Sequence, residues 1–129
     1  MTNVDIEVEK QIKNYLIDQT PSITILAEES GKSNKSSDLM WCIDPLDGTT
    51  NYSHGYPFFG TSVGLVYNDI PILGAISIPY LNELYWGCVN KGSYCNNELI
   101  QVSNPKNLSD SLLVTGFAYD RSEIEDNNY

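Results

Sequence analysis

Trp41-Cys42-Ile43-Asp44-Pro45-Leu46-Asp47-Gly48-Thr49-Thr50-Asn51 is the stretch on which the reading of this chain turns. It begins inside an apolar run, Leu39 to Ile43, with the character of a buried strand that delivers Asp44. Pro45 fixes its own φ and biases Asp44 toward extended backbone. Asp47-Gly48 is a tight turn in which glycine supplies the left-handed conformation. Thr49, Thr50 and Asn51 have the character of a cap and first turn of a short helix. Two carboxylates three positions apart across a rigid turn can converge on one point. Amides at a helix start can hold a phosphate beside them. Oxygen-only donors select hard cations, which favours Mg2+ over zinc. Asp-Gly alone is an ordinary turn; the whole stretch behind a buried strand points to a divalent-metal and phosphate site.

Upstream, Ile23 to Ala27 is β-branched and apolar, which predicts a strand ending in Glu28-Glu29. A Glu pair after a strand is by itself a solvated feature. Beside the Leu39 to Ile43 strand, however, it brings Glu28 to the same sheet edge as Asp44 and Asp47. Before it, Val4, Val8, Ile12, Tyr15 and Leu16 recur at helical spacing, predicting a helix over Val4 to Gln19 with Glu7, Glu9, Lys10 and Lys13 between them. Thr2, Asn3 or Asp5 serves its start, and Thr20-Pro21-Ser22 stops it. Taken alone, Asp5 is an acidic residue stabilised by the helix dipole.

Downstream the pattern becomes an antiparallel meander. Thr61 to Tyr67, Pro71 to Ile78, Glu83 to Val89 and Ser93 to Cys95 are its strands, with turns at Asn68-Asp69 and Asn90-Lys91-Gly92. Residues 31–38 form a polar loop, 108–111 a helical turn, and Leu112 to Thr115 a short final strand. Trp41 and Trp86 are core candidates. His54 lies in an aromatic-rich loop and takes a structural part. The assembly is α+β and layered, and one long helix is too few to cover such a sheet. The expected division is a partial domain over 1–121 and a disordered acidic tail over 122–129.

The 129 residues carry a formal net charge of −10, which excludes nucleic acid and anionic lipid as partners. That charge also repels an anionic substrate, unless bound cations invert the field locally. No apolar run reaches the roughly 20 residues of a membrane span, and the acidic N-terminus does not resemble a signal peptide. Cys42, Cys88 and Cys95 follow no zinc or CxxC spacing and read as reduced thiols packed in a core, in a cytoplasmic protein.

The stretch Trp41 to Asn51 resembles the signature of the inositol monophosphatase family. Leu26-Ala27-Glu28-Glu29-Ser30 resembles that family's upstream glutamate motif, and Thr2-Asn3-Val4-Asp5 its preceding segment. Lys91 to Asn96 and Ser111 to Gly116 are similar to its middle region. The resemblance covers nearly the whole chain. It implies a layered αβαβα sandwich and Mg2+-dependent hydrolysis of a small phosphate monoester such as inositol monophosphate, with two or three ions per site. Glu28, Asp44, Asp47 and the Leu46 carbonyl are then metal ligands. Thr49 orients the attacking water with Asp5 as its partner, and Asp47 with the Gly48 and Thr49 amides faces the substrate. The full-length form is expected to be a homodimer.

Two departures are visible. Ala27 stands where the family has Gly, and nothing after Asp120 matches the family's Trp-Asp-x-Ala motif, which carries a further ligand. The first helix ahead of Thr2 has no counterpart either. The expectation is therefore a partial, marginally stable phosphatase domain with weak or no turnover alone. A non-catalytic metal- or phosphate-binding fragment is the alternative. Thr49-Thr50-Asn51 favours the inositol branch over fructose bisphosphatases and nucleotide-bisphosphate phosphatases, while histidinol phosphatases share the motif.

Overall fold

The computed structural model describes residues 1–115, and its first element is the long helix α1, Asn3–Gln19. Thr2 is the N-cap: its hydroxyl accepts from the Val4 amide at 3.2 Å, and the Asp5 carboxylate accepts from the Thr2 amide in return. This capping box satisfies donors that the helix start leaves orphaned. The helix stops at Thr20, whose amide and hydroxyl both donate to the Leu16 carbonyl, at 2.8 and 2.7 Å, just before Pro21.

Beneath α1 runs one eight-stranded sheet. Its strands are β1 Thr24–Ala27, β2 Gly31–Lys32, β3 Leu39–Asp47, β4 Gly60–Tyr67, β5 Ile70–Ile78, β6 Glu83–Cys88, β7 Gly92–Cys95 and β8 Glu98–Ile100, with the short helix α2, Thr49–Ser53, after β3. The spatial order is β2-β1-β3-β4-β5-β6-β7-β8. β1 runs parallel to β3, and every other neighbouring pair is antiparallel. The meander turns on asparagine. Asn68-Asp69 joins β4 to β5 with φ of 47° and 64°, and Asn96-Asn97 joins β7 to β8 with φ of 47° and 70°. Asn and Asp tolerate this left-handed geometry, which matches the strand twist of a two-residue hairpin.

The register fixes which residues share a face. Ile25 pairs with Trp41 and Trp41 with Leu65; Ala27 pairs with Ile43 and Ile43 with Val63. These rows lie under α1, where Leu16, Ile25, Ala27 and Ile43 form the buried cluster and Ile12, Trp41 and Val63 pack against it. The alternate residues face the other way, and no helix among the described residues covers them: Leu26 is 38 % exposed and Ile76 47 %. The α+β layering is thus present as one helix layer on one mixed sheet.

Several local expectations change. Gly31–Lys32, expected to be loop, forms an edge strand on β1. The strand β8 was not foreseen, because Glu98 is charged and the run is only three residues long. Residues 112–115 form no strand. Leu112 and Val114 are 94 % and 90 % exposed, with no described strand beside them to supply a ladder. Trp86 lies beyond the buried cluster under α1, half-buried, and stacks on Tyr94 with ring centroids 4.3 Å apart. The three cysteines are free and half-buried rather than core-packed. The expected tail over 122–129 lies outside the described residues. No helix among the described residues is long and apolar enough to cross a membrane.

Candidate active site

β3 continues past Ile43 through Asp47, and its ladder with β4 breaks in between: Asp44 pairs with Ser62 and Asp47 with Gly60. Three steps on β3 thus match two on β4. Pro45 sits in the break because it has no N–H to give the ladder. Its carbonyl instead accepts from the Thr61 hydroxyl at 2.9 Å, and its side chain is fully buried. In a regular strand residues three apart lie on opposite faces; the extra residue of a bulge resets that alternation between the two aspartates. The Asp44 carboxylate accepts from the Leu46 amide at 3.1 Å, which tightens the bulge.

The turn then closes on Gly48, at φ 81°. Gly48 itself, rather than a threonine, is the N-cap of α2, and no side chain caps that helix. The Thr49 hydroxyl faces back. It lies 2.9 Å from the Leu46 carbonyl and 3.1 Å from an Asp5 carboxylate oxygen, and with one proton it donates to one of them at a time. Asn51 ties the far side of the turn, its amide donating to the Phe58 carbonyl at 2.6 Å. His54 is exposed and contacts the Thr50 carbonyl through Nδ1 at 2.8 Å, a local structural bond.

Glu28 arrives from β1. Its amide donates to the Ile43 carbonyl at 3.1 Å, so the strand end sits beside Asp44. The two residues line one open cleft of about 540 Å³ with Leu26, Cys42 and Ser62, on the face opposite α1. A hydrogen bond with the Asp44 carboxyl, then burial, then the negative charges of Asp44, Glu29 and Asp5 hold the Glu28 carboxyl above its ordinary range. Asp47 is exposed, and among the described residues no group of three or more His, Cys, Asp or Glu side chains is gathered closely enough to hold a metal ion. The geometry brings together Glu28 with Asp44, and Asp5 with Thr49; it does not bring Asp47 into the first pair.

Sequence reading missed Glu9. It was placed only as one of the charges between the apolar positions of α1, yet Glu9 is 4 % exposed and accepts from the Glu29 amide at 2.9 Å. The available signal was spacing. Asp5, Glu9, Ile12 and Leu16 fall on one helical stripe, and Asp5, Glu9 and Leu16 are the buried residues of α1.

Both buried acids carry a pH signature. Burial pushes the Asp5 carboxyl up, but hydrogen bonds from the Thr2 side chain and amide and from Thr49 outweigh it and leave it lowered. Burial acts likewise on Glu9, and bonds from Ser30 and the Glu29 amide together with the Lys13 charge reverse it. A carboxyl lowered by folding stabilises the protein above its unfolded pKa, about 4, and loses that contribution as pH falls through the folded value. These two acids are expected to lower the melting temperature as pH falls below about 4, while the raised Glu28 carboxyl acts in the opposite sense as pH rises. Asp5→Asn should flatten that acid limb, as followed by circular dichroism; an unchanged limb would rule out this origin.

The model of the inositol monophosphatase family matches residues 1–128. The inositol-1-monophosphatase of Synechocystis is 44 % identical over 130 residues, all of this chain and 45 % of that protein. The fructose-1,6-bisphosphatase/inositol-1-monophosphatase of Aquifex aeolicus is 41 % identical over 88 % of this chain and 43 % of its own length. The structure of an inositol monophosphatase from Anabaena superposes with a TM-score of 0.91 at 48 % identity, over 97 % of this chain and 50 % of that one. The chain thus spans about half the length of the relatives it matches. With the bulge at Pro45, the Glu28–Asp44 pair and the Asp5–Thr49 bond on the scaffold those relatives share, the chain belongs to the inositol monophosphatase family.

Proposed function

We propose that this chain carries metal-binding and phosphate-facing machinery of a Mg2+-dependent hydrolase of small phosphate monoesters, with inositol monophosphate as the leading substrate. The observation that carries the reading is the Glu28–Asp44 pair, two carboxyls from different strands whose contact and like charge hold the Glu28 carboxyl above its ordinary range. A divalent cation would neutralise that crowding of like charge, and an all-oxygen donor set suits Mg2+. Glu28, Asp44 and the Leu46 carbonyl, with Asp47 from across the bulge, are the residues that would hold it. Bound there, Mg2+ supplies positive charge against the phosphate and lowers the pKa of water.

The chain's own residues do the rest. The Thr49 hydroxyl, held by Asp5, is placed to orient a water and pass its proton toward the Asp5 carboxylate. The amides of Gly48 and Thr49, which no side chain caps, face the phosphate with Asp47 beside them. The family resemblance extends the reading to a cytoplasmic homodimer holding two or three Mg2+ per site.

The test is Mg2+-dependent phosphate release from inositol 1-phosphate, fructose 1,6-bisphosphate and histidinol phosphate, with Mn2+ binding measured in parallel. Turnover abolished by Asp47→Asn supports a hydrolase and ranks its substrates. Metal binding without turnover favours the non-catalytic alternative. Absence of both overturns the reading. The Aquifex relative's double name is the reason for including the bisphosphate.

A further inference from the structure

We infer that Glu9 is the positioning residue for Glu28: one face of α1 pins both halves of the candidate metal site. The inference rests on the metal-binding reading above. Glu28 lies at a strand end, where one φ and one ψ decide where its side chain goes. The amide before it is fixed, because Glu28 N–H donates to the Ile43 carbonyl at 3.1 Å. The amide after it is fixed too, because Glu29 N–H donates to Glu9 Oε2 at 2.9 Å. Both peptide planes flanking the Glu28 Cα are therefore tied, one to β3 and one to α1.

The tie from α1 is built rather than incidental. Glu9 is 4 % exposed, and Lys13, one helical turn on, lies 3.7 Å from its carboxylate. Lys13 also donates to the Ser30 hydroxyl, so Glu9 and Lys13 together grip the turn that follows Glu28. One turn before Glu9 on the same face, Asp5 accepts from Thr49 at 3.1 Å. Two buried carboxylates four residues apart, roughly one 5.4 Å helical turn, thus hold the Glu28 turn and the Asp44–Thr49 turn at a set separation. Nothing about Glu9 requires it to touch metal or substrate. Its effect passes through the backbone, as outer partners of metal ligands generally act.

The test compares two substitutions in the 129-residue chain. Glu9→Gln loses the charge and keeps an acceptor at the same reach. Glu9→Asp keeps the charge and falls one methylene short. The readouts are Mn2+ affinity by electron paramagnetic resonance, protection of the Glu29 amide by hydrogen exchange, and melting temperature. Glu9→Gln is expected within about threefold of the parent affinity, whereas Glu9→Asp loses roughly tenfold together with Glu29 protection. Equal affinities for both variants, or a loss in Gln that Asp restores, overturn the inference while leaving the metal reading intact. Failure of the unsubstituted chain to bind Mn2+ overturns both. If Glu9→Asp does not fold, Glu9→Gln with Lys13→Met carries the test: parent-like affinity and Glu29 protection are expected, and loss of either overturns the inference.

Discussion

Asp44→Asn is expected to abolish divalent-cation binding while leaving the fold as stable as before, or more so. The carboxylate it removes is the first of the groups that hold Glu28 above its ordinary range, and none of those groups is of opposite charge. Losing an outer partner of a ligand already costs 10–100-fold in metal affinity, so losing a ligand should cost roughly hundredfold or more. The bulge survives, because an asparagine oxygen still accepts from the Leu46 amide as Asp44 does. The repulsion between the two acids is relieved, and Glu28 returns toward its ordinary range. Binding lost with melting temperature held separates the site from the scaffold. Affinity within threefold of the parent would sink the assignment of Asp44.

How much of this was legible beforehand follows from how local each determinant is. The bulge is written in consecutive residues: an apolar strand, a proline that breaks the ladder, and an Asp-Gly that turns. Asn68-Asp69 announced its hairpin for the same reason. The placement of Glu28 beside Asp44 needed one further inference, that β1 and β3 are neighbours, and the parallel pairing bears it out. Glu9 was illegible by composition, since a Glu between helical apolar residues is ordinarily solvated. Its burial depends on the Glu29 amide reaching α1 from twenty residues away. The strand expected at 112–115 failed conversely: an apolar run has strand propensity, but a strand exists only where a neighbour offers its ladder.

The unmatched sheet face belongs to the same contrast. Leu26 and Ile76 alternate with the residues under α1 and lie on the sheet face that no described helix covers, exposed at 38 % and 47 %. Among the described residues the buried apolar side chains are Leu16, Ile25, Ala27, Ile43, Pro45 and Leu46. The stability resting on so few is small, and a change at a tight turn should register strongly.

Gly48→Ala is that change. Gly48 holds φ at 81°, where a Cβ costs roughly 1–2 kcal/mol. The Cβ would also stand 2.9 Å from the Phe58 carbonyl oxygen, a backbone atom already fixed by the Asn51 amide at 2.6 Å. Neither neighbour can rotate away, so the turn itself must move. A combined cost of about 2–3 kcal/mol lowers the melting temperature by roughly 10 °C for a domain of this size. Because Asp47 and Thr49 flank the glycine, the same displacement should weaken Mn2+ binding in whatever fraction remains folded. Gly48→Asn separates the two causes. Asparagine accepts the left-handed conformation but carries the same Cβ. If strain dominates, Asn recovers most of the loss. If the contact with Phe58 dominates, Asn and Ala are equally damaging. A melting temperature within about 2 °C of the parent for Gly48→Ala would show that the turn is looser than its geometry indicates.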